Sequence, residues 1–80
     1  MITTDLERLR AEALAALEQV QDLEALKEWR VTYLGRRGRL TQVLRQLGSL
    51  PPEERPRVGA VANRIKEELE AAYEAREAAL

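Results

Sequence analysis

Gly48-Ser49-Leu50-Pro51-Pro52 forces this chain to turn back on itself. Paired prolines cannot continue a preceding helix, and Gly48 suits a helix C-terminus, so a reversal is predicted between residues 48 and 55. Both sides of the reversal carry helical periodicity. After it, Val58, Ala62, Ile65, Leu69, Ala72, Arg76 and Ala79 step by fours and threes as a coiled-coil heptad, and Pro56 fits the first position of a helix over 56–80. Before it, Asp22 is a good N-cap for a helix over 22–34 that carries Leu23, Leu26, Trp29, Tyr33 and Leu34. Gly35 and Gly38 break that helix across 35–39, because glycine costs a helix interior about 1 kcal/mol relative to alanine. Leu40, Val43, Leu44 and Leu47 then resume the period over 40–47.

At 1.5 Å per residue, segments 22–47 and 56–80 are each about 35 to 40 Å long, which gives an antiparallel helical hairpin, a coiled-coil arm. Thr4-Asp5-Leu6-Glu7 reads as a capping box that opens a first helix over 4–20. Its stripe of Leu6, Leu9, Ala13, Leu17 and Val20 is widened by Ile2, Leu14 and Ala16. The alanines of the hairpin seam, Ala62, Ala72 and Ala79, bury little area, and the first helix is expected to cover them. The fold class is therefore all-α, with residues 1–80 forming one domain. Because the pattern reaches Leu80 without a stop signal, a fragment of a longer chain is expected.

An 80-residue chain has no room for a catalytic domain of ordinary size, and the absence of Cys and His removes disulfides, thiol or Ser-His nucleophiles and Cys/His metal sites. Carboxylate pairs such as Glu67-Glu68 fall on a charged helix surface and read as solvated. No phosphate-cradling Gly-rich loop is present, since Gly35-Arg36-Arg37-Gly38 lacks the length and the following Lys-Ser/Thr. No apolar run is long enough to span a membrane, nor is there a secretory signal at the N-terminus, so a cytoplasmic location is expected.

Charge is unevenly distributed. Residues 1–26 hold six acids and two bases, residues 27–45 hold six bases (Lys27, Arg30, Arg36, Arg37, Arg39, Arg45) against Glu28 alone, and residues 46–80 hold seven acids and five bases. Arginine donates bidentately to phosphate oxygens, so a basic block on a glycine-broken segment suits nucleic acid. The other reading pairs these arginines with glutamates of the flanking helices, and both stand at the level of the residues. Trp29 and Tyr33 are expected in the core rather than stacked on bases. Arg76, at a heptad position near the chain end, is expected to reach for solvent.

Tyr33-Leu34-Gly35-Arg36-Arg37-Gly38, Leu40-Thr41, Leu50-Pro51-Pro52-Glu53-Glu54-Arg55-Pro56, and Gly59 with Asn63 and Lys66 together resemble the N-terminal domain of the alpha subunit of bacterial phenylalanyl-tRNA synthetases. The resemblance covers residues 22–80, while residues 1–21 match only as an amphipathic helix. It implies a non-catalytic, tRNA-binding arm that positions tRNA(Phe) for aminoacylation elsewhere in the enzyme. It also implies a beta-subunit partner in an (alpha-beta)2 heterotetramer, with ATP, Mg2+ and phenylalanine bound outside this segment. The family's basic pair, often lysines, is Arg36-Arg37 here. Candidate tRNA contacts are Arg36, Arg37 and Arg39, then Arg30 and Arg45, then Lys27, Arg55 and Arg57. Alternatives are a helical protein-interaction module and the arm of another class II synthetase, such as the seryl type.

Overall fold

The computed structural model describes residues 2–80 and contains four α-helices: α1 (Ile2–Glu18), α2 (Leu23–Leu34), α3 (Arg39–Arg45) and α4 (Arg55–Ala79). A short 3-10 helix over Gln46–Ser49 extends α3 toward the reversal. No strand occurs among the described residues. The fold is all-α, an arm 42 Å long and 16 to 19 Å across.

Side-chain pairing gives the helix directions. Arg10 pairs with Glu68 at 2.5 Å, and Arg76 reaches the carbonyl of Val20, so α1 and α4 run parallel. Trp29 bonds back to Ala13, and Arg39 pairs with Glu12, so α2 and α3 run antiparallel to α1. The α2–α3 and α4 segments form the hairpin, with α1 laid along its seam.

The expected stripes point inward. Leu6, Leu9, Ala13 and Leu17 of α1 meet Leu26, Trp29 and Tyr33 of α2 and Val58, Ala62, Ile65 and Leu69 of α4 in one core. Ala62 is 0% exposed, closed over by α1, but the seam loosens toward the end of α4, where Ala72 is half-buried and Ala79 exposed. Leu17 is the last buried residue of α1, and there Leu14, Leu17 and Glu18 share only an open groove with Ala72, Ala75 and Ala79.

Local chemistry sets most boundaries. Asp22 caps α2, its Oδ1 accepting from the Ala25 amide at 2.7 Å. At the reversal, Arg55 donates from Nε to the Leu50 carbonyl and from Nη2 to the Gly48 carbonyl, each at 3.0 Å, and so satisfies helix-end acceptors. The first helix departs from expectation. It begins at Ile2, which places Thr4 and Glu7 inside it rather than in a capping box at its mouth. Ile2 is half-buried against the core, and that apolar contact extends the helix past the local capping signal.

Two residues tie the helices together by polar bonds. The Trp29 indole N–H donates to the Ala13 carbonyl at 2.8 Å, and its ring lies 5.5 Å from Tyr33 and stacks at 6.2 Å on Tyr73. Arg76 does not run to solvent. Its Nε and Nη2 both donate to Val20 O, at 3.2 and 2.6 Å, clasping the α1–α2 connection to α4. Replacing Trp29 with Ala removes one of the largest buried side chains and a cross-helix hydrogen bond. Urea unfolding followed by circular dichroism should show a loss of about 3 to 5 kcal/mol. A loss below about 1 kcal/mol would contradict the anchoring role.

Candidate nucleic-acid interface

The basic block is built around a tight turn. Leu34 ends α2, and the Gly38 amide donates to the Gly35 carbonyl at 2.9 Å, leaving Arg36 and Arg37 as the two central residues. No residue with positive φ occurs among those described, which excludes a type II or primed turn. The glycines are required for space rather than for unusual backbone angles. A Cβ on Gly35 would lie 2.6 Å from the Val31 carbonyl oxygen, and one on Gly38 would lie 2.9 Å from the Gly35 nitrogen. Both are closer than a side-chain carbon can approach backbone.

Side chains that follow the turn hold it in place. The Thr41 hydroxyl donates to the Gly35 carbonyl at 2.8 Å, and the Gln42 amide donates to the Arg37 carbonyl at 3.1 Å. Sequence reasoning missed both roles, although Ser, Thr and amide side chains often bond to nearby backbone. Arg36 and Arg37 are exposed and enter no ion pair among the described residues.

Arg39 is arranged differently. It is the first residue of α3 rather than part of the break, and it pairs with Glu12 of α1 while its guanidinium lies 5.9 Å from the Tyr33 ring centroid. The hydrogen bond that Arg39 donates to the Glu12 carboxylate raises the Arg39 pKa above its ordinary value, against a smaller opposing effect of burial. Arg55 spends its donors on the reversal carbonyls. Within the basic block, pairing with a glutamate of a flanking helix is met at Arg39, whereas Arg36 and Arg37 enter no ion pair among the described residues.

The remaining candidates are spread along the arm. Arg30 lies over the Tyr73 ring at 5.6 Å and shares an open groove between α2 and α4 with Lys27 and Val31. Arg45 is exposed in the last turn of α3, and Arg57 is exposed at the start of α4. Glu67 and Glu68 do not act together, since Glu68 pairs with Arg10 and Glu67 accepts from Asn63. Among the described residues no group of three or more His, Cys, Asp or Glu side chains is placed to hold a metal ion, and no helix is long and apolar enough to cross a membrane.

A chain with this hairpin and this glycine-bounded arginine turn has close counterparts. It is 51% identical over 75 residues to the phenylalanine–tRNA ligase alpha subunit of Geobacillus thermodenitrificans, covering 94% of this chain and 22% of that protein. Identity is 49% over 75 residues to the same subunit of Pseudomonas putida, again 94% and 22% of the two chains. With that of Moorella thermoacetica it is 55% over 65 residues, 81% of this chain and 19% of the relative. The chain thus spans about a fifth of the length of these relatives. No solved structure matches it significantly. Residues 21–80 match the family described as aminoacyl tRNA synthetase class II, N-terminal domain, and the chain belongs to that family.

Proposed function

We propose that this chain is the tRNA-binding arm of a phenylalanine–tRNA ligase alpha subunit. The observation that carries the reading is the Arg36-Arg37 turn: two guanidinium groups on a sterically constrained, hydrogen-bonded turn, without ion-pair partners among the described residues. Arginine forks suit phosphate oxygens, and phosphate contacts position an RNA without reading its sequence. Arg30, Arg45, Lys27 and Arg57 extend the positive surface. Arg39 and Arg55 support it from within, the first by fixing α3 against α1 and the second by closing the reversal.

The reaction belongs to the rest of the enzyme. ATP, Mg2+ and phenylalanine are assigned to the remainder of the alpha subunit, with a beta subunit completing an (alpha-beta)2 assembly in the cytoplasm. The arm contributes binding energy remote from the reacting atoms, which helps deliver the acceptor end of tRNA(Phe). A protein-docking module would need a free seam, and α1 closes that seam at Ala62, leaving only its end at Ala72 and Ala79 open.

Replacing Arg36 and Arg37 with Ala in the assembled ligase should lower tRNA-dependent kcat/KM and flatten the log–log salt dependence of tRNA binding by roughly 1.5 to 2 units. Phenylalanine-dependent ATP–pyrophosphate exchange should be unchanged. An unaltered salt slope would remove the phosphate contacts, and equal losses in both activities would make the arginines structural. Gly35→Ala should weaken tRNA binding by displacing the turn, although it adds no charge and removes none. Wild-type affinity in that variant would contradict a fixed presentation of the arginines.

A further inference from the structure

Gly59, Asn63 and Lys66 lie on one flank of α4 and span about 10 Å along it. The fold itself makes little use of them. Glycine is among the poorest residues for a helix interior, yet a Cβ on Gly59 would meet nothing within 4 Å. Asn63 is exposed and bonds only to Glu67 of its own helix, at 3.2 Å. Lys66 is exposed and enters no ion pair among the described residues, despite Glu70 one turn away.

This flank faces away from α1. On the α1 side of the helix, Arg64 and Glu68 are engaged with Glu7 and Arg10. On the other side, Lys66 and Glu70 form one wall of a cleft of about 320 Å3, and Arg30, Leu34 and Thr41 belong to its α2–α3 wall. The two arms of the hairpin each supply a cation to this cleft. Thr41 connects it to the arginine turn, because its hydroxyl holds the Gly35 carbonyl.

We propose that the cleft between α2–α3 and α4 is a second RNA-backbone seat, in which Arg30 and Lys66 grip phosphates of one strand. Gly59, about two turns nearer the start of α4 on the same flank and outside the cleft lining, lets that strand continue close to the helix. The seat rests on the tRNA-binding reading and extends it from α2–α3 to α4. A missing side chain permits close approach of a ligand backbone. Glu70 offers an acceptor that a ribose 2′-hydroxyl satisfies and a phosphate oxygen does not, which favours RNA over other polyanions.

The test uses the assembled ligase with a tRNA(Phe) transcript as the probe. Lys66→Ala should reduce the magnitude of the log–log salt slope by close to 1. Gly59→Gln should weaken tRNA binding about fivefold or more by placing a side chain in the open space beside this flank of α4. Because glutamine is the better helix former, hydrogen exchange of the α4 amides in the same variant should be unchanged or slower. Adenylate formation should be unaffected in both. Wild-type affinity and slope in both variants would overturn the seat, and so would faster α4 exchange accompanying the loss in Gly59→Gln, which would mark a structural effect. Either result leaves the Arg36-Arg37 reading to its own double variant.

Discussion

The indole of Trp29 meets all three long helices. It donates to a carbonyl of α1, stacks on Tyr73 of α4, and packs against Tyr33 one turn along its own helix. A chain of this size buries a smaller fraction of its surface than a larger domain does and has no cysteine or histidine with which to staple itself, so a single large side chain bonded and packed in three directions carries unusual weight. Tyr33 passes the constraint on. Its ring receives the Arg39 guanidinium, and Arg39 in turn reaches Glu12, so the placement of α3 follows from the aromatic cluster.

That placement divides the arginines into two groups. Arg39, Arg55 and Arg76 bond to a carboxylate or to backbone carbonyls left over at chain turns. Arg36 and Arg37 sit between two glycines that cannot carry a Cβ, and their turn is held by bonds from Thr41 and Gln42 to its backbone. The same residue type thus serves as internal clasp or as free donor according to what lies within its reach. Because one group's donors are engaged with partners in the chain itself, the donors left free to meet an external anion are those of the other.

Features of local origin were legible in the sequence. Asp22 caps α2, the prolines enforce the reversal, and the break falls at the glycines. The start of α1 was not legible, because contact between Ile2 and the core outweighs the capping signal of Thr4. Nor was the role of Arg76, whose partner Val20 lies 56 residues away. The division within the basic block was equally hidden, since spacing shows that arginines are clustered but not that Glu12 from another helix claims one of them. Conformational preference makes the glycine break legible, but not its cause, which is that Val31 and Gly35 backbone atoms occupy the space a Cβ would need.

The division of arginines is tested most directly by following their Nε–Hε NMR signals while tRNA(Phe) is added. Arg36 and Arg37 should show rapid solvent exchange in the free protein and shift or broaden on binding. Arg55 and Arg76, bonded to carbonyls, should be protected from the start and remain unmoved. Shifts at Arg55 and Arg76 with Arg36 and Arg37 unaffected would contradict the assignment of the glycine-bounded turn as the RNA-holding element.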